Sequence, residues 1–121
     1  MRERALQLAL ADMAARKGFL VAGLVELEGG MVWHAEGSQD LSDVVVSTAS
    51  DYWRLYKRSQ KVFSPLGPLN VAMLFHRGGR ITICECGPAM LLVVITELRN
   101  EIDWELWKKD HAHLARLIKN F

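Results

Sequence analysis

The stretch AMLLVVITEL, residues 89–98, restricts the fold more than any other part of this chain. It is almost wholly apolar, rich in β-branched residues, and far too short to span a bilayer. A strand with one wet face alternates apolar and polar side chains, whereas a continuous run implies a central strand covered on both faces. Such a strand needs helices on both sides of its sheet. The 121 residues are the length of one domain, and residues 1–121 are read as a single domain that supplies them.

The neighbouring strands come as hairpins. In GLVELEGGMVWHAEG, Val25 and Leu27, then Met31, Trp33 and Ala35, alternate with polar or small residues around Gly29-Gly30, which suits a tight turn. VAMLFHRGGRITICECG repeats the pattern, with Val71, Met73 and Phe75, a turn at Gly78-Gly79, then Ile81 and Ile83. With the apolar run these make five strands, mainly antiparallel.

Three segments carry helical spacing. Leu6, Ala9, Leu10 and Met13 form one stripe, with Arg2, Gln7, Asp12 and Arg16 opposite and Gly18 placed for a left-handed stop. In SQDLSDVVVSTASDYWRLYKRSQ the three valines favour a strand. The length and the stripe Leu41, Val45, Thr48, Ala49, Tyr52 and Tyr56 favour a helix, with Ser38 or Ser42 as its cap. The last helix has Asn100 as cap, Asp103 three residues on, and the stripe Trp104, Trp107, His111, Leu114 and Ile118. The order is α-β-β-α-β-β-β-α, an α+β chain with helices on both faces of a five-stranded sheet.

Chemistry is sparse. Cys84 and Cys86 in ITICECG are the only cysteines. In a strand they share one face and Ile81 and Ile83 the other, which reads as packing. A redox-sensitive thiol is the lesser reading. A zinc site needs about four ligands, and His111 and His113 diverge on a helix while His34 and His76 sit on separate strands. No nucleophile elbow, zincin or phosphate-loop motif is present, so no catalytic residue, cofactor or metal site is assigned. The net charge of +1 offers no electrostatic reason for nucleic acid or an anionic membrane as main partner. The N-terminus does not read as a secretory signal, and the protein is expected to be cytoplasmic with reduced thiols.

Aromatic residues carry more information. Tyr52, Trp53 and Tyr56 lie among Arg54, Lys57 and Arg58 on the second helix. Tyrosine, tryptophan and arginine are enriched at interface hot spots, and a protein interface is the leading reading. Core packing with a basic outer face is the plainer one, and stacking on single-stranded nucleic acid the weakest.

The element order, the hairpin GLVELEGGMVWHAEG, the segment GPLNVAMLFHRGGRITICECGPAMLLVVIT and the closing helix together resemble the roadblock family, the dynein light chain roadblock type, in the profilin-like fold group. The resemblance spans roughly residues 2–118. It departs from the family in having Gly29-Gly30 where Asp-Gly is common. The resemblance implies the sheet order 2-1-5-4-3 with the third strand at an edge. It implies a homodimer joined through that strand and the second helix, with Val71, Met73, Phe75, Tyr52, Trp53 and Tyr56 at the interface. It also implies a non-catalytic regulator or scaffold whose partner is a small Ras-like GTPase or a signalling or motor complex. A small-molecule-sensing domain of profilin-like architecture, with a ligand between helix and sheet, is the alternative.

Overall fold

The central strand is where the apolar run places it. In a computed structural model, which describes residues 2–38, 43–98 and 101–119, the run forms β5 (Met90–Thr96), and Leu91 to Thr96 are all buried. Around it lie α1 (Arg2–Ala14), β1 (Phe19–Glu26), β2 (Val32–Gly37), α2 (Asp43–Arg58), β3 (Ala72–His76), β4 (Gly79–Glu85) and α3 (Trp104–Lys119). The sheet order is β2-β1-β5-β4-β3, and every pairing is antiparallel.

Alternation along the strands feeds two cores. On one face Ala22, Leu24, Cys84, Cys86, Leu92 and Val94 pack against Leu6, Leu10 and Met13 of α1 and Leu114 of α3. On the other, Val21, Val25, Ile83, Leu91, Val93 and Ile95 pack against Val46, Ala49 and Trp53 of α2. The α1 and α3 stripes are therefore as the spacing predicts. Arg16, at the end of α1, donates through Nε and Nη2 to Asp110 of α3, both at 3.2 Å, which pins the two helices side by side. The chain leaves α1 through Gly18 at φ +84°.

Several expectations shift. The first hairpin is not a two-residue turn. Glu26 N–H donates to Met31 O and Gly30 N–H to Glu26 O, so the loop runs over residues 27–30. Only Gly30 of the pair is left-handed, at φ +75°, and a Cβ there would stand 2.7 Å from Arg54 Nη2. The register slips between Leu24 and Val25, an irregularity of the bulge type at Trp33. The expected alternation fails there: Trp33 joins the α1/α3 core, Val32 and Ala35 join the α2 core, and Met31 is exposed. In the second hairpin His76 pairs with Gly79, so the turn is Arg77-Gly78.

The helix caps also move. Asp103 is itself the cap of α3, its Oδ1 accepting from Leu106 N–H at 3.0 Å, while Asn100 lies outside the described residues. Ser38 donates its N–H to Leu20 O beyond the end of β2, five residues before α2 begins at Asp43, and Leu41 and Ser42 lie outside the described residues.

The stripe read for α2 is out of phase. Its buried residues are Val46, Ala49, Ser50 and Trp53. Thr48, Tyr52 and Tyr56 point outward and the half-buried Val45 packs at the margin of the core; among the described residues of the expected stripe Ala49 alone is fully within it.

Both thiols are buried, and burial pushes each up to about 12; for Cys84 the nearby Cys86 and Glu85 add to it. With so little thiolate near neutral pH, iodoacetamide should leave native Cys84 and Cys86 unmodified and label both in denaturant, as read by intact mass. The same shift sets a pH dependence. From about pH 9 to about 12 the unfolded chain releases thiol protons that the folded chain keeps, so stability falls as pH rises through that window. Replacing Cys84 by Ala should flatten that fall in urea titrations. At the centre of the sheet, Leu92→Ala should cost about 3 kcal/mol, and at the exposed Leu98 the same change less than about 0.5 kcal/mol.

Candidate partner interface

Many of the exposed apolar side chains stand on α2, on the connection that follows it and on the β3 edge. β3 pairs with β4 alone, and among the described residues no strand covers its outer side. Its residues Ala72, Met73, Leu74 and Phe75 carry no charge and no proline, and the pairing with β4 runs without a register shift. A flat apolar edge of this kind invites a further strand. The opposite edge, β2, is interrupted at Trp33 and carries Glu36, both of which discourage pairing.

The six residues expected at the interface fall in three places. Met73 and Phe75 are 42% and 65% exposed and Val71 is also exposed. By register Met73 stands beside Thr82 and Phe75 beside Arg80, so these odd-numbered residues belong to the α1/α3 face. Ala72 and Leu74 pack instead into the α2 core. Tyr52 and Tyr56 are exposed on α2, on the other face of the sheet. Trp53 corrects the expectation. It is fully buried beneath α2 and holds the helix on the sheet, so it offers no surface to a partner.

α2 has two apolar faces. The inner one is Val46, Ala49 and Trp53. The outer one is Thr48, Tyr52, Leu55 and Tyr56, at spacings of 4, 3 and 1, with Val45 between the two faces. Leu55, 58% exposed, was not singled out from the sequence, although its place three residues after Tyr52 is the signal that finds it. Phe63 was missed as well; it stacks on Tyr56 with ring centroids 4.8 Å apart and planes 9° from parallel. Val62 and Leu66, in the connection to β3, extend the exposed apolar surface.

The position of α2 is fixed by polar contacts at the first hairpin. Arg54 Nη1 donates to Glu26 O and Leu27 O at 3.4 and 3.2 Å, and Nη2 to Ser50 Oγ and Asp51 Oδ1, both at 2.6 Å. Ser47 Oγ donates to Gly30 O at 2.7 Å. These bonds satisfy carbonyls of the hairpin loop and hold the helix so that its second stripe faces outward. Lys57 and Arg58 in the last turn suit the negative end of the helix dipole.

No family model matches the chain, and no curated protein matches it by sequence. Solved structures do. A Roadblock/LC7 domain from Streptomyces avermitilis superposes with a TM-score of 0.77 at 17% identity, covering 94% of each chain. MglB of Myxococcus xanthus gives 0.81 at 15% identity over 97% of each chain. An MglB with tetrameric arrangement gives 0.78 at 15% identity, over 98% of this chain and 91% of that one. At such identities the likeness rests on the path of the backbone. With three helices on a five-stranded antiparallel sheet ordered β2-β1-β5-β4-β3, that path is the roadblock fold.

Proposed function

We propose that this chain is a non-catalytic, homodimeric regulatory or scaffold module that binds a small Ras-like GTPase or another signalling or motor partner. The observation that carries the reading is the flat, uncharged β3 edge beside a second apolar stripe on α2. Each is a liability in an isolated chain, and one contact relieves both. A second copy related by a twofold axis perpendicular to the sheet would add its β3 antiparallel to the first, extending the sheet to ten strands, twice the five of one chain. Its α2 would lie on the same side as the first, stripe against stripe.

In that arrangement odd residues stand opposite odd residues, so Val71, Met73 and Phe75 meet their counterparts on one face. Tyr52, Leu55 and Tyr56 meet theirs on the other. The fold shared with MglB, one form of which has a tetrameric arrangement, supports self-association, and the choice of a small GTPase as partner follows from what the resemblance to the roadblock family implies.

Light scattering at micromolar concentration should give twice the chain mass of 13.7 kDa. A monomer there would sink the dimer reading. Leu55→Asp and Met73→Asp should each weaken the dimer by about thirtyfold, or about 2 kcal/mol, with the circular dichroism unchanged. Small GTPases of the source genome, loaded with GTP or GDP, should be titrated calorimetrically onto the protein. At least one should bind with a preference between nucleotide states and lose affinity with Leu55→Asp. The absence of binding by every GTPase would remove that part of the proposal and leave the dimer standing.

A further inference from the structure

The α1/α3 face of the sheet holds a cavity of about 560 Å³ between α3 and the β3–β4 edge. Small-molecule sites commonly measure about 300–1,000 Å³. It exists because α3 packs beside α1 over the middle of the sheet and leaves the odd-numbered side chains of β3 uncovered. Val71, Met73 and Cys84 line it from the sheet, and Trp104, Trp107 and Lys108 from the helix. The two indoles stand edge to face, with centroids 5.7 Å apart and planes at 82°. A planar ring entering here meets both an aromatic face and an aromatic edge.

The polar side chains that line it are Asn70, Lys108 and His111. Lys108 lines the cavity, and its salt bridge to Glu105, 3.3 Å long, is exposed and easily exchanged. Arg80 on the same face lies over Trp104, its guanidinium carbon 4.8 Å from the ring centroid. Glu85 borders the cavity through its main chain, whose carbonyl accepts a hydrogen bond from His111 Nε2 at 2.9 Å. By strand alternation its carboxylate belongs to the other face, where Glu85 lines a groove with Trp53 and Lys57.

Among the described residues three buried polar atoms find no partner, Nε1 of Trp53 under α2, Nε1 of Trp107 and the hydroxyl of Thr82, and none of them opens into the cavity. The charge that lines the cavity is that of Lys108, and a cation at an aromatic wall asks for an oxygen anion.

We propose that this cavity binds a planar aromatic carboxylate, its ring against Trp104, Trp107 and Met73 and its acid group held by Lys108. The site lies on the sheet face opposite α2 and stands apart from the GTPase reading. It gives a definite form to the small-molecule alternative that the sequence raised.

The test uses the full chain with nitrogen-15 in its indoles, which gives one indole signal for each of the four tryptophans. Trp107→Phe identifies the Trp107 signal. Indole-3-acetate is the probe, with 3-methylindole as the neutral control and cyclohexaneacetate as the non-aromatic one. The Trp107 signal should move with indole-3-acetate, and the acid should bind about tenfold more tightly than either control, the worth of one charge-assisted hydrogen bond from Lys108. Lys108→Ala, at an exposed position where folding should survive, should abolish the preference over 3-methylindole. The proposal is overturned if the Trp107 signal stays still at millimolar acid, if the Trp33 and Trp53 signals move as much, or if Lys108→Ala leaves the preference intact.

Discussion

Burial of β5 from both sides is the constraint on which the rest of the structure depends. Leu92 and Val94 enter the core under α1 and α3, while Leu91, Val93 and Ile95 enter the core under α2. Apolar side chains pointing both ways cannot be covered by one layer of helix, so the three helices divide two and one. β1 and β4 occupy the two sides of β5. The remaining strands of the two hairpins, β2 and β3, are then forced to the edges.

Those edges are treated differently. β2 is interrupted at Trp33 and carries Glu36, whereas β3 runs flat and uncharged. Only the β3 edge is thus left without a device that discourages pairing. α2 crosses the sheet with its outer stripe toward solvent, held there by Arg54 and Ser47 on the carbonyls of the first hairpin loop. Exposed apolar side chains thus stand on both faces of the sheet, those of α2 on one and those of β3 on the other.

Arg80 joins these parts. Its guanidinium lies over Phe75 of β3, with 5.6 Å to the centroid, and over Trp104 of α3, and its Nε donates to Thr96 of β5 at 3.2 Å. One side chain therefore touches the edge strand, the helix that walls the cavity and the central strand. Whatever occupies the cavity and whatever pairs with β3 share Val71 and Met73 as neighbours.

The element order, the central strand and the shared face of Cys84 and Cys86 could all be read from the chain, because period and composition are local properties. The phase of α2 could not. Residues 45–56 contain two interleaved apolar stripes, and a helix with two such stripes does not say which one meets its own sheet. Val46 and Trp53 take that role only because Arg54, one residue further on, reaches the hairpin loop. The face of Trp33 was hidden for a similar reason, since an irregularity between paired strands leaves no mark in the periodicity of either.

For the exposed apolar surface, the sequence pointed to α2 and β3, on which Tyr52, Tyr56, Met73 and Phe75 are exposed. Only the tertiary structure decided that Trp53 is core, that Leu55 is surface, and that Val71, Met73 and Phe75 lie on the face opposite Tyr52 and Tyr56. The cavity beside Trp104 and Trp107 belongs wholly to the tertiary level, because its walls come from strands and a helix far apart in the chain. What the sequence determined by itself is the pattern of apolar side chains, and hence the elements. Which partner each apolar side chain meets was decided by packing, because that choice depends on residues distant in sequence.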